Sequence, residues 1–281
     1  MNSIKNLKSK INTAKMLIGN YFYSRKLTEK NSGKFGRLER FCLFIGYPRS
    51  GHSLVGSLVD AHENAVISHE LDSILYLNYG FGKERLLSLI LDNSKKYARE
   101  GRENTGYSYV VSGQWQGKYE ELLVMGDKYG DLATRRIAEN PKLLERLKKT
   151  VGVEVKMLHI IRNPYDTIST WSRRRKIPIE QIMPKYFKLA KQNERIKEMA
   201  GEDVLDIRHE DLIENPKNEI EQAIEFLGLE PNDDYLEACS NIIYKRPNKS
   251  REKTSWNEEN IEEVAERMKE FPFFNGYGYY D

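Results

Sequence analysis

Apolar residues fall into short dense runs, separated by longer stretches in which they recur every three or four positions, the alternation expected of strands and helices in an α/β fold. The first run, Arg40–Gly46, is too short for a typical helix and is closed by glycine. It reads as a buried strand. After a polar turn, Leu54, Val55, Leu58 and Val59 share one helix face. Residues 62–64 read as a turn, and residues 65–68 as a short strand that delivers His69 and Glu70 to its carboxyl end. Residues 72–100 read mainly as helix, interrupted near Gly80 and Gly82. Residues 101–117, polar and rich in glycine and aromatics, read as a binding loop or small hairpin. Further strands are predicted at 122–125, 155–161 and 204–207, and helices at 140–149, 184–200, 216–227 and 258–269.

Composition narrows the class. With 39% hydrophobic and 31% charged residues, the chain has the make-up of a soluble globular protein. No linker-like tract divides the 281 residues, so one large domain over 40–281 is expected. Before it lies a basic extension, 1–39: ten of the first forty residues are Lys or Arg, and only Glu29 and Glu39 oppose them. A solvated, partly mobile segment is expected there. A net charge of +3 is too small to imply a nucleic-acid partner. No apolar run approaches the ~18 to 20 residues of a membrane span. The group Met16, Leu17, Ile18 is too brief for a signal-peptide core. Two cysteines, Cys42 and Cys239, make no disulfide framework or four-ligand zinc site, so a cytoplasmic setting is expected.

The chemistry begins at Gly46-Tyr-Pro-Arg-Ser-Gly51-His52-Ser53. Two glycines five apart, followed by a hydroxyl residue, between a buried strand and a helix, have the spacing of a phosphate-binding loop. Successive backbone N–H groups at such a turn, added to the positive end of the helix dipole, suit an anion. Nucleotide-hydrolysing versions carry lysine after the second glycine and a later carboxylate for Mg²⁺. Here that lysine is His52, and the nearest cation is Arg49. The later strands end in Arg162 and in Arg208-His209, with Asp206 as the residual candidate carboxylate. The loop therefore reads as built for a phosphate-bearing donor whose charge is met by fixed cations, with no metal required.

Tyr47-Pro-Arg-Ser-Gly-His-Ser53 with Leu58-Val-Asp-Ala-His62 resembles the 5′-phosphosulfate loop of sulfotransferases that use 3′-phosphoadenosine 5′-phosphosulfate (PAPS). Leu158-His-Ile-Ile-Arg-Asn-Pro-Tyr-Asp166, with Thr170 and Trp171, resembles their 3′-phosphate strand and helix. Arg208-His-Glu-Asp-Leu212 with Asn215-Pro216, and Lys249-Ser-Arg251 with Trp256, resemble two further family segments. The resemblance implies a P-loop-type three-layer α/β/α fold around a central, mostly parallel sheet, closer to bacterial, tyrosine- and glycan-sulfating members than to the cytosolic branch. It implies that the backbone of Arg49, Ser50, Gly51, His52 and Ser53 holds the 5′-phosphosulfate, with Arg49 bridging the transferred group and the leaving phosphate. Arg162 and Thr170, with Ser169 as second choice, would clamp the 3′-phosphate, and Ser250 and Arg251 would close over it. His209 stands where relatives often place a tyrosine near the adenine, and a capping or core role is equally open to it. The helix-end cluster Arg173, Arg174, Arg175 reads as solvated.

Sulfuryl transfer requires a base for the acceptor hydroxyl. Cytosolic relatives place a histidine where this chain has Gly130; other relatives use a glutamate in the region of His69-Glu70. The resemblance therefore implies Glu70 as base, His69 as alternate, and Lys128 as a second cation on the transferred group. The stretch Tyr107 to Tyr119, with Gln114, Trp115 and Gln116, could form an acceptor wall suited to sugars or phenols, and a carbohydrate or small-metabolite hydroxyl is the leading acceptor. PAP (3′-phosphoadenosine 5′-phosphate) would be the product. A P-loop kinase and a non-catalytic nucleotide-binding protein are the alternatives.

Overall fold

The computed structural model describes residues 2–104 and 106–281, with side chains from Lys10 onward. Met1, in the basic 1–39 segment, and Thr105, inside the 101–117 stretch, lie outside the described residues. In chain order the elements are helix α1 (Asn2–Lys30), strand β1 (Arg40–Gly46), α2 (His52–Val59), β2 (Ala65–His69), α3 (Ser73–Asn78) and α4 (Lys83–Arg99). A two-stranded hairpin follows, β3 (Glu103–Asn104) and β4 (Tyr107–Ser108), then β5 (Val124–Lys128), α5 (Gly130–Glu139) and α6 (Lys142–Val151). Next come β6 (Glu154–Ile161), α7 (Pro164–Arg175), α8 (Ile179–Ala200), β7 (Val204–Arg208), α9 (His209–Glu214), α10 (Pro216–Phe226), α11 (Asp233–Ser240) and α12 (Glu258–Met268).

The main sheet is parallel throughout, in the order β2-β5-β1-β6-β7. Its central strand explains the apolar run that announced it. Phe41, Leu43 and Ile45 pack on one side with Leu86 and Ile90 of α4 and Ile137 of α5. Cys42 and Phe44 pack on the other with Leu54 of α2 and Ile224 of α10. A strand covered on both faces carries apolar residues at every position, and the outcome is the expected α/β/α sandwich.

The 72–100 stretch breaks into α3 and α4 around Gly80 and Gly82, as the pattern predicts. The strand expected at 122–125 runs instead over Val124–Lys128, so Asp127 and Lys128 belong to the sheet and are buried. The basic segment, expected to be solvated and mobile, forms α1, which buries Leu17, Ser24 and Leu27. Asn20 Nδ2 donates to the Tyr76 hydroxyl at 2.5 Å. No helix among the described residues is long and apolar enough to cross a membrane.

Candidate active site

The carboxyl ends of parallel strands, where loops diverge, are the usual ligand position in such sheets. A cleft of about 540 Å³ opens here, bordered by the turns after β1, β2, β5, β6 and β7.

Its floor is the loop between β1 and α2. Arg49 has φ 70° and Gly51 φ 109°, left-handed conformations that curl the backbone. The N–H groups of Arg49, Ser50, Gly51, His52 and Ser53 donate to no other group among the described residues. An anion at this turn would meet several of them, together with the helix dipole. Gly51 is needed for a second reason: a Cβ there would lie 2.7 Å from Nδ1 of His209.

The imidazole of His52 is buried and packs within the fold. Its Nε2 lies 3.2 Å from the Ile45 carbonyl, and its Nδ1 3.3 Å from Ser50 Oγ. The carbonyl can only accept, so Nε2 carries the proton. Burial depresses the imidazole to about 3, which leaves it neutral. The ring fills the space beside Gly130, where a Cβ would come within 2.0 Å of Nε2. His52 and Gly130 are thus one packing unit. Ser50 Oγ, also buried, donates to the Tyr47 carbonyl at 3.0 Å, so only the backbone of this residue faces an incoming group.

At one end of the cleft the β2–β5 register places His69 opposite Lys128, and the next N–H, of Glu70, donates to the Lys128 carbonyl at 3.0 Å. Lys128 is buried, and its ammonium donates to Glu70 Oε1 at 3.0 Å and to Ser53 Oγ at 3.1 Å. Glu70 keeps 46% of its side chain exposed, toward the cleft. Burial alone would raise the Glu70 carboxyl, but the Lys128 ammonium outweighs it and holds the group below its ordinary value. Burial lowers the Lys128 pKa, with Glu70 opposing. Glu70 sits at φ 56° and Asp72 at φ 69°. Buried Asp127 pins this strained turn, accepting from the N–H groups of Leu71 at 3.2 Å and Ser73 at 2.7 Å.

His69 does not border the cleft. Its ring stacks on Tyr97 at 3.9 Å, and its Nε2 lies 3.2 Å from Asn104 Nδ2. Burial depresses it to about 3.

At the other end stands Arg162, just beyond β6 and buried. Its guanidinium donates to the carbonyls of Arg49 (3.3 Å) and Asn248, to Thr170 Oγ1 (3.5 Å) and to Ser250 Oγ (3.3 Å). Thr170 Oγ1 donates to Ser250 Oγ at 2.9 Å. The expected trio of Arg162, Thr170 and Ser250 therefore meets. Ser169 does not join it, because its hydroxyl accepts from Trp256 Nε1 at 2.9 Å. Arg251 does not face the cleft either. It is buried against Asp166, with a side-chain ion pair at 2.9 Å and its own N–H donating to the same carboxylate at 2.8 Å. Arg251 fastens the turn that presents Ser250. His209 borders the cleft beside Gly51, its Nδ1 buried without a hydrogen-bond partner among the described residues and its pKa depressed by burial to about 3.

The side walls draw on the aromatic stretch expected to form a binding loop, and on Tyr244, which spacing did not single out. Tyr107 and Tyr109, from the hairpin region, and Tyr244 line the cleft, and Tyr107 meets Tyr244 edge-on at 5.5 Å. Arg173 and Arg174, expected to be a solvated helix end, border it too. Helical spacing was the available signal: Arg173 and Arg174 stand three and four positions after Thr170, hence on its face. Gln114 and Trp115 lie outside the cleft. The Trp115 N–H donates to the Ala61 carbonyl at 3.1 Å, and the Gln114 N–H to that of Val111 at 3.3 Å. Their neighbour Gln116 is the strut, its amide bridging the carbonyls of Ser57 (3.0 Å) and Tyr109 (2.8 Å). Asp206, the residual metal candidate, is held by His159 at 2.9 Å and Lys197 at 2.5 Å and does not border the cleft.

Comparison with known proteins follows the same lines. No curated protein matches the chain in sequence. The sulfotransferase domain from the curacin biosynthetic pathway superposes with a TM-score of 0.50 at 17% identity, covering 84% of this chain and 100% of that one. Sulfotransferase STF9 from Mycobacterium avium gives 0.49 at 12% identity (86% and 79% covered), and a sulfotransferase from Alicyclobacillus acidocaldarius 0.46 at 15% (83% and 94%). The sulfotransferase domain family model matches residues 40–275, from the first strand of the sheet to just beyond α12. The chain belongs to the sulfotransferase family.

Proposed function

We propose that this chain is a PAPS-dependent sulfotransferase that moves a sulfuryl group to the hydroxyl of a carbohydrate or small metabolite, with Glu70 as base. The observation that supports this most is the charge layout of the cleft. Arg49, Lys128, Arg162, Arg173 and Arg174 border it, against the carboxylates of Glu70 and Asp131. Both carboxylates already have partners, Lys128 and Arg135. The Nε of Arg49 is buried with no hydrogen-bond partner among the described residues, and neighbouring Arg174 and Arg162 add to the burial that lowers its pKa. With only two carboxylates, both already paired, the remaining cations Arg49, Arg162, Arg173 and Arg174 crowd one another unless an anion completes the cluster. A donor phosphorylated at both ends fits a cleft with an N–H turn as its floor and Arg162, Thr170 and Ser250 beyond it at one end.

PAPS, when bound, supplies an activated sulfuryl group on a good leaving group. The chain supplies the rest. The N–H groups of residues 49–53 and the guanidinium of Arg49 hold the 5′ end and meet the charge that grows on the leaving oxygen. Arg162, Thr170 and Ser250 fix the 3′ end. Glu70, ionised at neutral pH, accepts the acceptor proton at its carboxylate, and Lys128 holds that carboxylate on the cleft side. Tyr107, Tyr109 and Tyr244 offer flat faces and hydroxyls to the acceptor. The two buried free thiols fit a cytoplasmic setting.

The kinase reading asks for a cation at His52 and a carboxylate for Mg²⁺. A neutral, packed imidazole and an Asp206 engaged elsewhere count against it. Incubation with sulfur-labelled PAPS and a panel of sugar, phenol and alcohol acceptors tests the proposal. Label transfer to at least one hydroxyl class is expected; transfer of γ-phosphate from ATP with none from PAPS would overturn it.

A further inference from the structure

Among its described side chains the basic segment ahead of the sheet contributes none to the cleft, yet α1 is apolar on two opposite faces. One carries Leu17, Ser24 and Leu27, buried against the body of the protein. On the far face Ile11, Ile18 and Phe22, spaced seven and four apart, form one stripe exposed at 45%, 60% and 64%. In the sequence the same spacing extends back to Leu7 and Ile4. Lys15, Arg25 and Lys26 flank the stripe, all exposed. The only carboxylate in the 29-residue helix is Glu29, 3.9 Å from Arg25 Nε.

We propose that this face of α1 lies on an anionic lipid surface, with Ile11, Ile18 and Phe22 in the headgroup boundary and the flanking cations on lipid phosphates. The charge pattern selects this occupant. A second copy, pairing stripe to stripe, would bring Lys15, Arg25 and Lys26 of both chains together, and like charges at an interface oppose it. Anionic headgroups neutralise the same residues. A single convex helix needs no shaped partner, only a surface that yields to it.

Flotation of the full chain with vesicles tests this, using phosphatidylcholine alone or mixed with phosphatidylglycerol, at low and high salt. Binding to the mixed vesicles is expected at low salt, with loss on removing phosphatidylglycerol or raising salt. Ile18→Glu with Phe22→Glu should weaken it at least about tenfold, and so should Lys15→Glu with Lys26→Glu. These positions are exposed, so circular dichroism and PAP affinity should match the parent chain. Absence of flotation, equal binding to both vesicle types, or parental binding by either double variant would overturn the proposal. So would a concentration-dependent dimer in sedimentation that Ile18→Glu with Phe22→Glu dissolves while vesicles recruit nothing.

Discussion

Lys128 and Glu70 depend on each other. The lysine is buried with two partners, and the carboxylate is the only one of them that carries charge. Replacement of Glu70 by Gln keeps the shape and a hydrogen bond but removes the base. Turnover should fall by about 10²-fold to 10⁴-fold, the usual contribution of a positioned base. PAP affinity should stay within about threefold, and unchanged turnover would reject the assignment. The pH profile is a second check. A carboxyl held below its ordinary 4.5 is ionised at every pH above that value, so activity is lost only as pH falls through the lowered pKa. The rate at saturating donor and acceptor should therefore stay level from about pH 8 down to about pH 5, whereas a base with the ordinary histidine value would lose activity near ~6.5; His69, depressed to about 3, is separated from Glu70 by the Glu70→Gln variant and not by this profile. A decline centred near ~6.5 would contradict Glu70. Gly130→Ala tests the packing unit beneath. Its Cβ would crowd His52, and overpacking of this kind costs about 1–3 kcal/mol. Urea unfolding should show that loss, and His52→Ala in the same chain should recover part of it.

The hairpin and the loop after it, elements too short to carry a core, owe their position to a buried ion pair. Arg102, just before β3 and at φ 51°, pairs with Asp60 at the end of α2, and Ser94 Oγ of α4 donates to the same carboxylate at 2.9 Å. The Arg102 guanidinium also lies over Tyr97, on which His69 stacks. Arg102→Met would leave a buried carboxylate unpaired, at a cost of about 3–5 kcal/mol. With Tyr107 and Tyr109 released, the acceptor KM should rise while PAP affinity holds; an unchanged acceptor KM would contradict this loop as the acceptor wall. None of this could be read from spacing. Asp60 and Arg102 are forty-two residues apart, and such pairings declare themselves only in three dimensions. The same limit hid the Asp166 partner of Arg251, which lies on another element, and the turn hydrogen bonds that keep Gln114 and Trp115 out of the cleft. What was legible was local: a fully apolar strand, a glycine loop, a hydroxyl two turns along a helix from an arginine.

At the scale of the whole molecule, one parallel sheet brings residues from five strand ends together, so that positions from Arg49 to Ser250 border a single cleft. The alternation of strands and helices was legible in the periodicity, whereas the order of strands in the sheet was not. The docking of α1 was not, because its apolar residues lie on two faces and blur any single period. The central claim is that the cleft is shaped for a donor phosphorylated at both the 3′ and 5′ positions. Calorimetric titration of the chain with PAP, and separately with ATP and Mg²⁺, tests it most directly. The account predicts saturable binding of PAP that weakens at least about tenfold in Arg162→Ala, through loss of a charged phosphate contact, with ATP and Mg²⁺ binding far more weakly. Tight binding of ATP with Mg²⁺ and no heat from PAP would contradict it.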